Sequence, residues 1–316
     1  MVFLGLVARI AALTEGNTIF FRILGTAAGG GLPQWNCACA NCAAVRAGRL
    51  EPRLQAAAAF SPDGERWYLI NATPDLTTQL LRTPVLHPGS VRETPIAGVV
   101  LTDGELDHVL GLLHLREGAG WTLFATDSTA ELLRGAFPAL DILNRYVADA
   151  AVERLSLGSP RVFGEGEAQV AMHVLETGTD LPRYAGSGAR AGAVVALLFE
   201  TAQGRRLVYA PGVSRLTREL FRAFQGAEII LFDGTLYTDD ELQTLGVGRA
   251  TAADMGHVPM SGPEGSAVWL AQLPAPTKRY VHLNNTNPAL LETSSARAEL
   301  RALGLELADE PWEVEL

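Results

Sequence analysis

The sequence has no run of lysine or arginine, no apolar stretch long enough to cross a bilayer, no repeat or low-complexity tract, and only three cysteines. Each absence excludes something. Without a basic segment, and with a formal net charge of −10 and a pI near 5.1, a nucleic acid is not the expected partner. The three cysteines all fall within six residues and cannot form the disulfide framework of a secreted protein, so a reducing compartment, the cytoplasm, is expected. Met1 to Leu13 is apolar apart from Arg9, but it is too short for a membrane segment and lacks a basic start. Glu15 to Thr18 offers no convincing cleavage site, so a signal peptide is the weaker alternative. Residues 1–17 are expected to be a poorly structured extension and 18–316 a single domain.

What is present suits a globular core: 316 residues, 48% of them apolar and 19% charged. Short runs rich in β-branched and aromatic residues predict strands over Phe20 to Leu24, Trp67 to Ile70, Ala97 to Leu101 and Trp121 to Ala125. Further strands are predicted over Ala168 to Leu175, Gly192 to Glu200, Arg206 to Ala210 and Glu228 to Phe232. Helices are predicted over Asp75 to Arg82, Thr129 to Phe137, Arg218 to Phe224, Pro263 to Leu273 and Ser294 to Ala302. Each half runs strand-rich and then helical. This order suits two sheets packed face to face with helices outside better than a doubly wound parallel sheet. Gly29-Gly30-Gly31 lacks the residues of a phosphate loop and reads as a flexible turn.

Cys37, Cys39 and Cys42 place three thiols in one tight segment. Thiolates that close repel one another unless a cation lies among them, and zinc in a closed tetrahedral structural site, its fourth ligand from elsewhere, is the expected occupant. Three inert buried thiols, or a redox pair of Cys39 and Cys42, are the alternatives. A second cluster, Asp103, Glu105, Asp107 and His108, follows the predicted strand Ala97 to Leu101. Acidic residues also favour the first turn of a helix, and Val109 to Leu115 looks helical, so capping explains this segment equally well. Asp233 and His282 each end another apolar run. Either alone reads as a satisfied buried residue, but together with the first cluster they suggest a site.

The segments Gly25 to Cys37, Asn71 to Asp75, Thr102 to His108, Tyr209 to Gly212, Asp233 to Thr235, Met255 to His257 and His282 to Pro288 carry a resemblance. In this order they resemble the metallo-β-lactamase superfamily and, within it, the coenzyme PQQ synthesis protein B family, from about Phe20 to the C-terminus. The resemblance implies an α+β fold, an αββα sandwich of two packed mixed sheets flanked by helices. It also implies a site along one edge and a role in making pyrroloquinoline quinone (PQQ). The superfamily's metal motif reads His-x-His-x-Asp-His. Here Asp103 and Glu105 stand at the two leading histidine positions, and only Asp107 and His108 match. The stretch from Glu176 to Tyr184 has no histidine where a third is expected, and His173 reads as a core residue.

A two-zinc hydrolase needs more imidazoles than these. Asp107, His108 and His282 instead match the two-histidine, one-carboxylate set of non-haem Fe2+ oxygenases, with Asp233 as an additional active-site ligand. The expectation is an iron-dependent oxygenase that hydroxylates a tyrosine-derived PQQ precursor, itself built from tyrosine and glutamate. Asp103, Glu105 and His257 would carry protons or support the ligands. A soluble carrier moving PQQ or its precursor toward the periplasm is the alternative, and hydrolysis by a rearranged metal site is a weaker one. The oligomeric state is open, a homodimer included.

Overall fold

The structure, a computed structural model, describes residues 18–118, 120–147, 151–166 and 168–316. The extension expected over 1–17 lies outside the described residues. Among them fourteen strands form two sheets of seven. They are β1 (Phe20–Gly25), β2 (Ala57–Ser61), β3 (Trp67–Ile70), β4 (Ile96–Val100), β5 (Thr122–Ala125), β6 (Ala151–Arg154) and β7 (Arg161–Phe163). The rest are β8 (Val170–Asp180), β9 (Ala189–Thr201), β10 (Arg206–Ala210), β11 (Ile229–Asp233), β12 (Thr277–Val281), β13 (Glu306–Leu307) and β14 (Trp312–Glu315). The first sheet has the order β14-β1-β2-β3-β4-β5-β6 and the second β13-β12-β11-β10-β9-β8-β7.

Both sheets are mixed in the same way. In the first, β14, β1, β2 and β3 pair antiparallel and β3 to β6 pair parallel. In the second, β7 to β10 pair antiparallel and β10 to β13 pair parallel. The sequence explains how each sheet is covered on both faces. Along β10, Leu207 and Tyr209 point into the core between the sheets, while Val208 and Ala210 point to the helices outside. Ile229 and Leu231 of β11 face inward in the same way, and Ile230 and Phe232 outward. Strands buried on both faces read as continuous apolar runs, which is why these two were legible.

The central layer is aromatic: Phe199 packs against Phe21 and Phe60 with ring centroids 5.9 and 4.7 Å apart. The outer layers differ in their helices. Leu76, Leu112, Leu133, Leu140 and Leu143 cover the first sheet, and Leu220, Phe224, Leu270 and Leu300 cover the second. The αββα sandwich is therefore present, with one correction to the core. His173 lies in β8 on the face opposite Met172 and Val174; its side chain is about one-third exposed and stands 4.0 Å from Glu200. Alternation along the strand places it outward, because its neighbours fill the inner face.

Loops at one rim join the sheets. Ala27, just past β1, bridges both Gln55 and Leu283, and Leu283 N–H donates to Thr26 O at 2.7 Å. The candidate site lies along this rim, beyond the carboxyl ends of parallel strands β4, β11 and β12, where open sheets commonly leave a crevice.

Candidate metal centre

The segment after β4 enters a short helix, Leu106–Val109, with Glu105 as its cap residue in extended conformation. This turn carries Asp107 and His108 to the rim. Gly111 lets the following turn approach Ala72 closely: its N–H donates to Ala72 O at 2.8 Å, and Ala72 N–H donates to His108 O at 2.7 Å. His282 comes from the other sheet, directly after β12, and has φ of +56°. For a residue with a side chain that backbone costs on the order of 1–3 kcal/mol and persists only where its surroundings fix it. Here Gly234 N–H donates to Val281 O, and Asn284 N–H to Thr235 O.

Asp107, His108 and His282 converge, with one ligand atom from each lying within 4.8 Å of the others. His282 Nε2 is 3.3 Å and His108 Nε2 3.8 Å from Asp107 Oδ2. Adjacent ligands on one face of an octahedral ion lie about 3 Å apart for bonds near 2.1 Å, so the three need only a slight closure to share one. Gly29 faces this carboxylate from the glycine turn; a Cβ there would meet Asp107 Oδ2 at 3.5 Å.

The hydrogen bonds behind each ring decide which nitrogen is free. His108 Nδ1 is 2.8 Å from both oxygens of Asp103, and toward an ionised carboxylate a ring nitrogen can only donate a proton. That leaves Nε2 of His108 as the acceptor, and it is buried with no partner. An orphaned buried ring nitrogen beside a carboxylate is what a cation site leaves behind. For His282, Thr235 is the corresponding group. Its hydroxyl donates to Asp233 Oδ1 at 2.6 Å and accepts from His282 Nδ1 at 2.8 Å, again turning Nε2 toward Asp107. The residues present thus fit a single metal ion.

Asp103 is itself set by a buried chain: Thr102 Oγ1 lies 2.8 Å from its Oδ2 and pairs with the side chain of Asn71. Glu105 N–H donates to Oδ1. Asp103, one of the two acidic residues at the leading histidine positions, is therefore turned away from the rim and bound to His108. Glu105 points outward, and Tyr184, from the stretch lacking a histidine, donates its hydroxyl to Gly104 O at 2.6 Å. Among the described residues no candidate metal group contains three imidazoles.

A second group, Asp233, His257 and His282, also lies within 4.8 Å. Its geometry is that of a closed hydrogen-bond network. Asp233 is fully buried and accepts from Val213 N–H, Thr235 N–H, the Thr235 hydroxyl and His257 Nδ1, the last at 2.6 Å. His257 stacks on His282 with ring centroids 5.3 Å apart. Thr235, Asn71 and Thr102 fall in segments that carry the resemblance but had no role there, because hydroxyl and amide residues after strands have no periodic signature.

The charges follow this geometry. Burial opposes ionisation of Asp107 and Asp233, but His108 and His282 beside the first and His257 beside the second hold both carboxyls below their ordinary range. Burial would lower His108, yet Asp103 and then Asp107 carry it up to about 9. Glu105 keeps its outer surface in solvent, but protein packed against its inner side, and then Asp103 and Asp107, raise it to about 7. The carboxylates that favour positive charge on His108 and His257 favour a divalent cation as well, which would take the place of a proton on His108 Nε2.

The three cysteines lie nearby, on the far side of the loop that follows His282. Cys39 caps the helix Ala40–Arg46 and Cys42 occupies its first turn, so the two share one face; Cys37 sits in the preceding loop. All three are free thiols with sulfurs within 4.8 Å of one another. Burial pushes the Cys42 thiol up to about 11. It acts against ionisation of Cys39 too, but donors from Cys42, Cys37 and Asn285 hold that thiol below its usual value. Asn285, in the segment His282 to Pro288, places its side-chain amide nitrogen beside all three sulfurs.

Comparison with known proteins agrees with this layout. The model of the beta-lactamase superfamily domain matches residues 66–283. Coenzyme PQQ synthesis protein B of Methylobacterium nodulans is 44% identical over 89% of this chain and 95% of its own length. The chain belongs to the coenzyme PQQ synthesis protein B family. The PqqB of Cupriavidus taiwanensis is 42% identical, covering 93% of this chain and 99% of its own length. The crystal structure of Zn2+-bound PqqB from Methylobacterium extorquens superposes with a TM-score of 0.83 at 38% identity, covering 94% of this chain and all of that one. A diphosphatase of the PhnP family, 19% identical with a TM-score of 0.64 over 95% of this chain and 97% of its own, shares the fold. Among the described residues no helix is long and apolar enough to cross a membrane.

Proposed function

We propose that this chain acts in PQQ synthesis as an iron-dependent oxygenase that hydroxylates a tyrosine-derived precursor. The names of its relatives supply the pathway. The observation that carries the chemistry is the convergence of Asp107, His108 and His282, with each ring's Nδ1 bonded behind it and the buried Nε2 of His108 left without a partner. Two histidines and one carboxylate on one face leave positions for oxygen and substrate, and Fe2+ bound there supplies oxygen activation.

The protein's own groups have distinct parts. Asp103 holds His108 in the tautomer that exposes Nε2, and Thr235 does the same for His282. Asp233 fixes His257 beside the His282 ring and stands ready to adjust the ligand set. His257 and Glu105 flank the group and are assigned to proton carriage. Zinc is assigned to Cys37, Cys39 and Cys42 as a structural ion. Inserting one oxygen atom into an aromatic C–H bond releases the other as water, so the reaction takes two electrons from a reductant such as ascorbate.

The test is oxygen uptake by anaerobically purified, iron-loaded protein with ascorbate and a tyrosine-containing precursor. The wild type should consume oxygen and yield hydroxylated product, and Asp107→Ala should not. Equal uptake in the two would overturn the assignment. Saturable PQQ binding without any uptake would put a carrier in its place.

A further inference from the structure

The helices Arg218–Phe224 and Ser266–Ala271 lie on the outer face of the second sheet and leave between them a groove of about 490 Å3, open to solvent. Leu220 and Phe224 turn inward and are buried, which leaves Arg218, Phe221 and Arg222 toward the groove. The floor is aromatic and firmly held. Trp269 packs edge-on against Phe221 and Phe224 with ring centroids 5.4 and 5.7 Å apart, and tilted against Phe232 at 5.7 Å. Trp269 and Phe221 are nevertheless only half-buried. A fixed aromatic surface left partly in water is one that an apolar side chain can cover at little ordering cost.

The wall of the groove has the opposite sign to the molecule. The chain carries 25 lysines and arginines against 35 acidic residues, yet Arg218 and Arg222 line the groove and no acidic residue does. Glu219, about 100° round the helix from Arg218, faces elsewhere. The nearby Arg205 and Arg206 are held by Glu228 and Glu200. Arg215, Arg218 and Arg222, by contrast, are exposed, and among the described residues their side chains make no ion pair and no hydrogen bond. Three uncompensated guanidiniums in one segment of an acidic chain are matched by a partner's carboxylates.

We propose that this groove docks an extended acidic segment of a partner protein, with an aromatic or large aliphatic residue between two acidic ones. Spacing sets that order. Arg218 and Arg222 stand one turn apart, about 6 Å along the helix, and alternate residues of an extended chain lie about 6.5–7 Å apart on the same side. Two carboxylates at alternate positions thus reach both guanidiniums, and the residue between them turns toward Trp269 on the facing helix. Exposed Gln225 and Gln272 offer amides to the main chain. A small acid would keep much of its surface in water in so open a groove, and the net charge of −10 repels a nucleic acid. The groove begins at Leu216, three residues past Val213, whose N–H donates to Asp233. A segment bound there is moored beside the rim that carries the metal centre.

The experiment is fluorescence anisotropy with the full-length chain and the labelled peptide Gly-Glu-Phe-Glu-Gly. Wild type should bind it saturably, and less tightly as salt is raised. Arg218→Gln with Arg222→Gln should loosen it on the order of 10-fold. Arg218→Glu with Arg222→Glu should reverse the preference to Gly-Lys-Phe-Lys-Gly, and binding recovered in that way excludes unfolding as the cause of the loss. No binding to wild type, or equal affinity in wild type and the Gln pair, overturns the proposal. Equally tight binding of Gly-Glu-Gly-Glu-Gly overturns the part given to Phe221 and Trp269. Self-association in ultracentrifugation that the Gln pair abolishes would put a second copy of this chain in the groove instead. Co-sedimentation with phosphatidylserine-containing vesicles, lost in the same pair, would put a membrane surface there.

Discussion

Replacing Asp103 with asparagine isolates the most specific step in the proposed chemistry, the choice of ring nitrogen on His108. Asp103 is 3% exposed, and both of its oxygens lie 2.8 Å from His108 Nδ1. No rotation of an asparagine side chain there keeps its amide nitrogen away from Nδ1. If Oδ1 goes on accepting from Glu105 N–H, the NH2 group takes the place of Oδ2 and donates to Nδ1. The Thr102 hydroxyl, which now faces a donor, can turn its proton to Asn71 Oδ1 at 3.1 Å. The local network thus refits at a folding cost on the order of 1 kcal/mol. With that NH2 group facing Nδ1, the imidazole is driven toward the tautomer with its proton on Nε2, the nitrogen aimed at Asp107. Removing a partner that fixes a metal-binding imidazole lowers affinity about 10- to 100-fold, or about 1.4–2.7 kcal/mol. Iron titration under anaerobic conditions, alongside denaturant melts, reads both quantities. An Asp103→Asn protein that is folded and binds iron as tightly as wild type would refute the tautomer argument.

Two further substitutions test the frame around the site. Phe199, 1% exposed between the sheets, contacts Phe21 and Phe60, so Phe199→Ala should cost about 3–5 kcal/mol, seen as a lower urea midpoint at unchanged slope. A loss under 1 kcal/mol would mean that the aromatic centre is not the main joint between layers. Gly111→Ala would set a Cβ 2.7–2.8 Å from the Ala72 carbonyl and closer still to Thr73 O, with only backbone to yield. It should destabilise by about 1–3 kcal/mol or more and weaken iron binding by shifting His108; wild-type values for both would contradict the packing described.

The two-sheet architecture was legible because β10 and β11 alternate apolar residues onto two covered faces. Strand β2 was missed for the opposite reason. Ala57, Ala58 and Ala59 are strong helix formers, and only their position between β1 and β3, where little volume is available, makes them a strand. Edge strands β13 and β14 lack an apolar run, and Trp312–Glu315 is held by pairing to β1. At the site, Asp107, His108 and His282 stood out as residue types that bind metal. Asp103 and His257 could be named but not placed, since which carboxylate bonds to which ring depends on how two distant rims meet. Asn285 was hidden in its own motif: an asparagine beside other asparagines gives no sign of its partners until three sulfurs are seen around it.

The matching division of the two sheets, antiparallel in one half and parallel in the other, has a consequence for cohesion. On the proposed ligand set, Asp107 and His108 extend from the parallel half of one sheet and His282 from that of the other, so neither layer can bind the ion alone. The ion then works as a fastener across the open rim, far from the aromatic centre that joins the layers elsewhere. At a free concentration of 100 times its Kd it would add about 2.7 kcal/mol to the hold of one layer on the other. Metal supply would thus regulate how firmly the rim stays shut as well as whether chemistry takes place there.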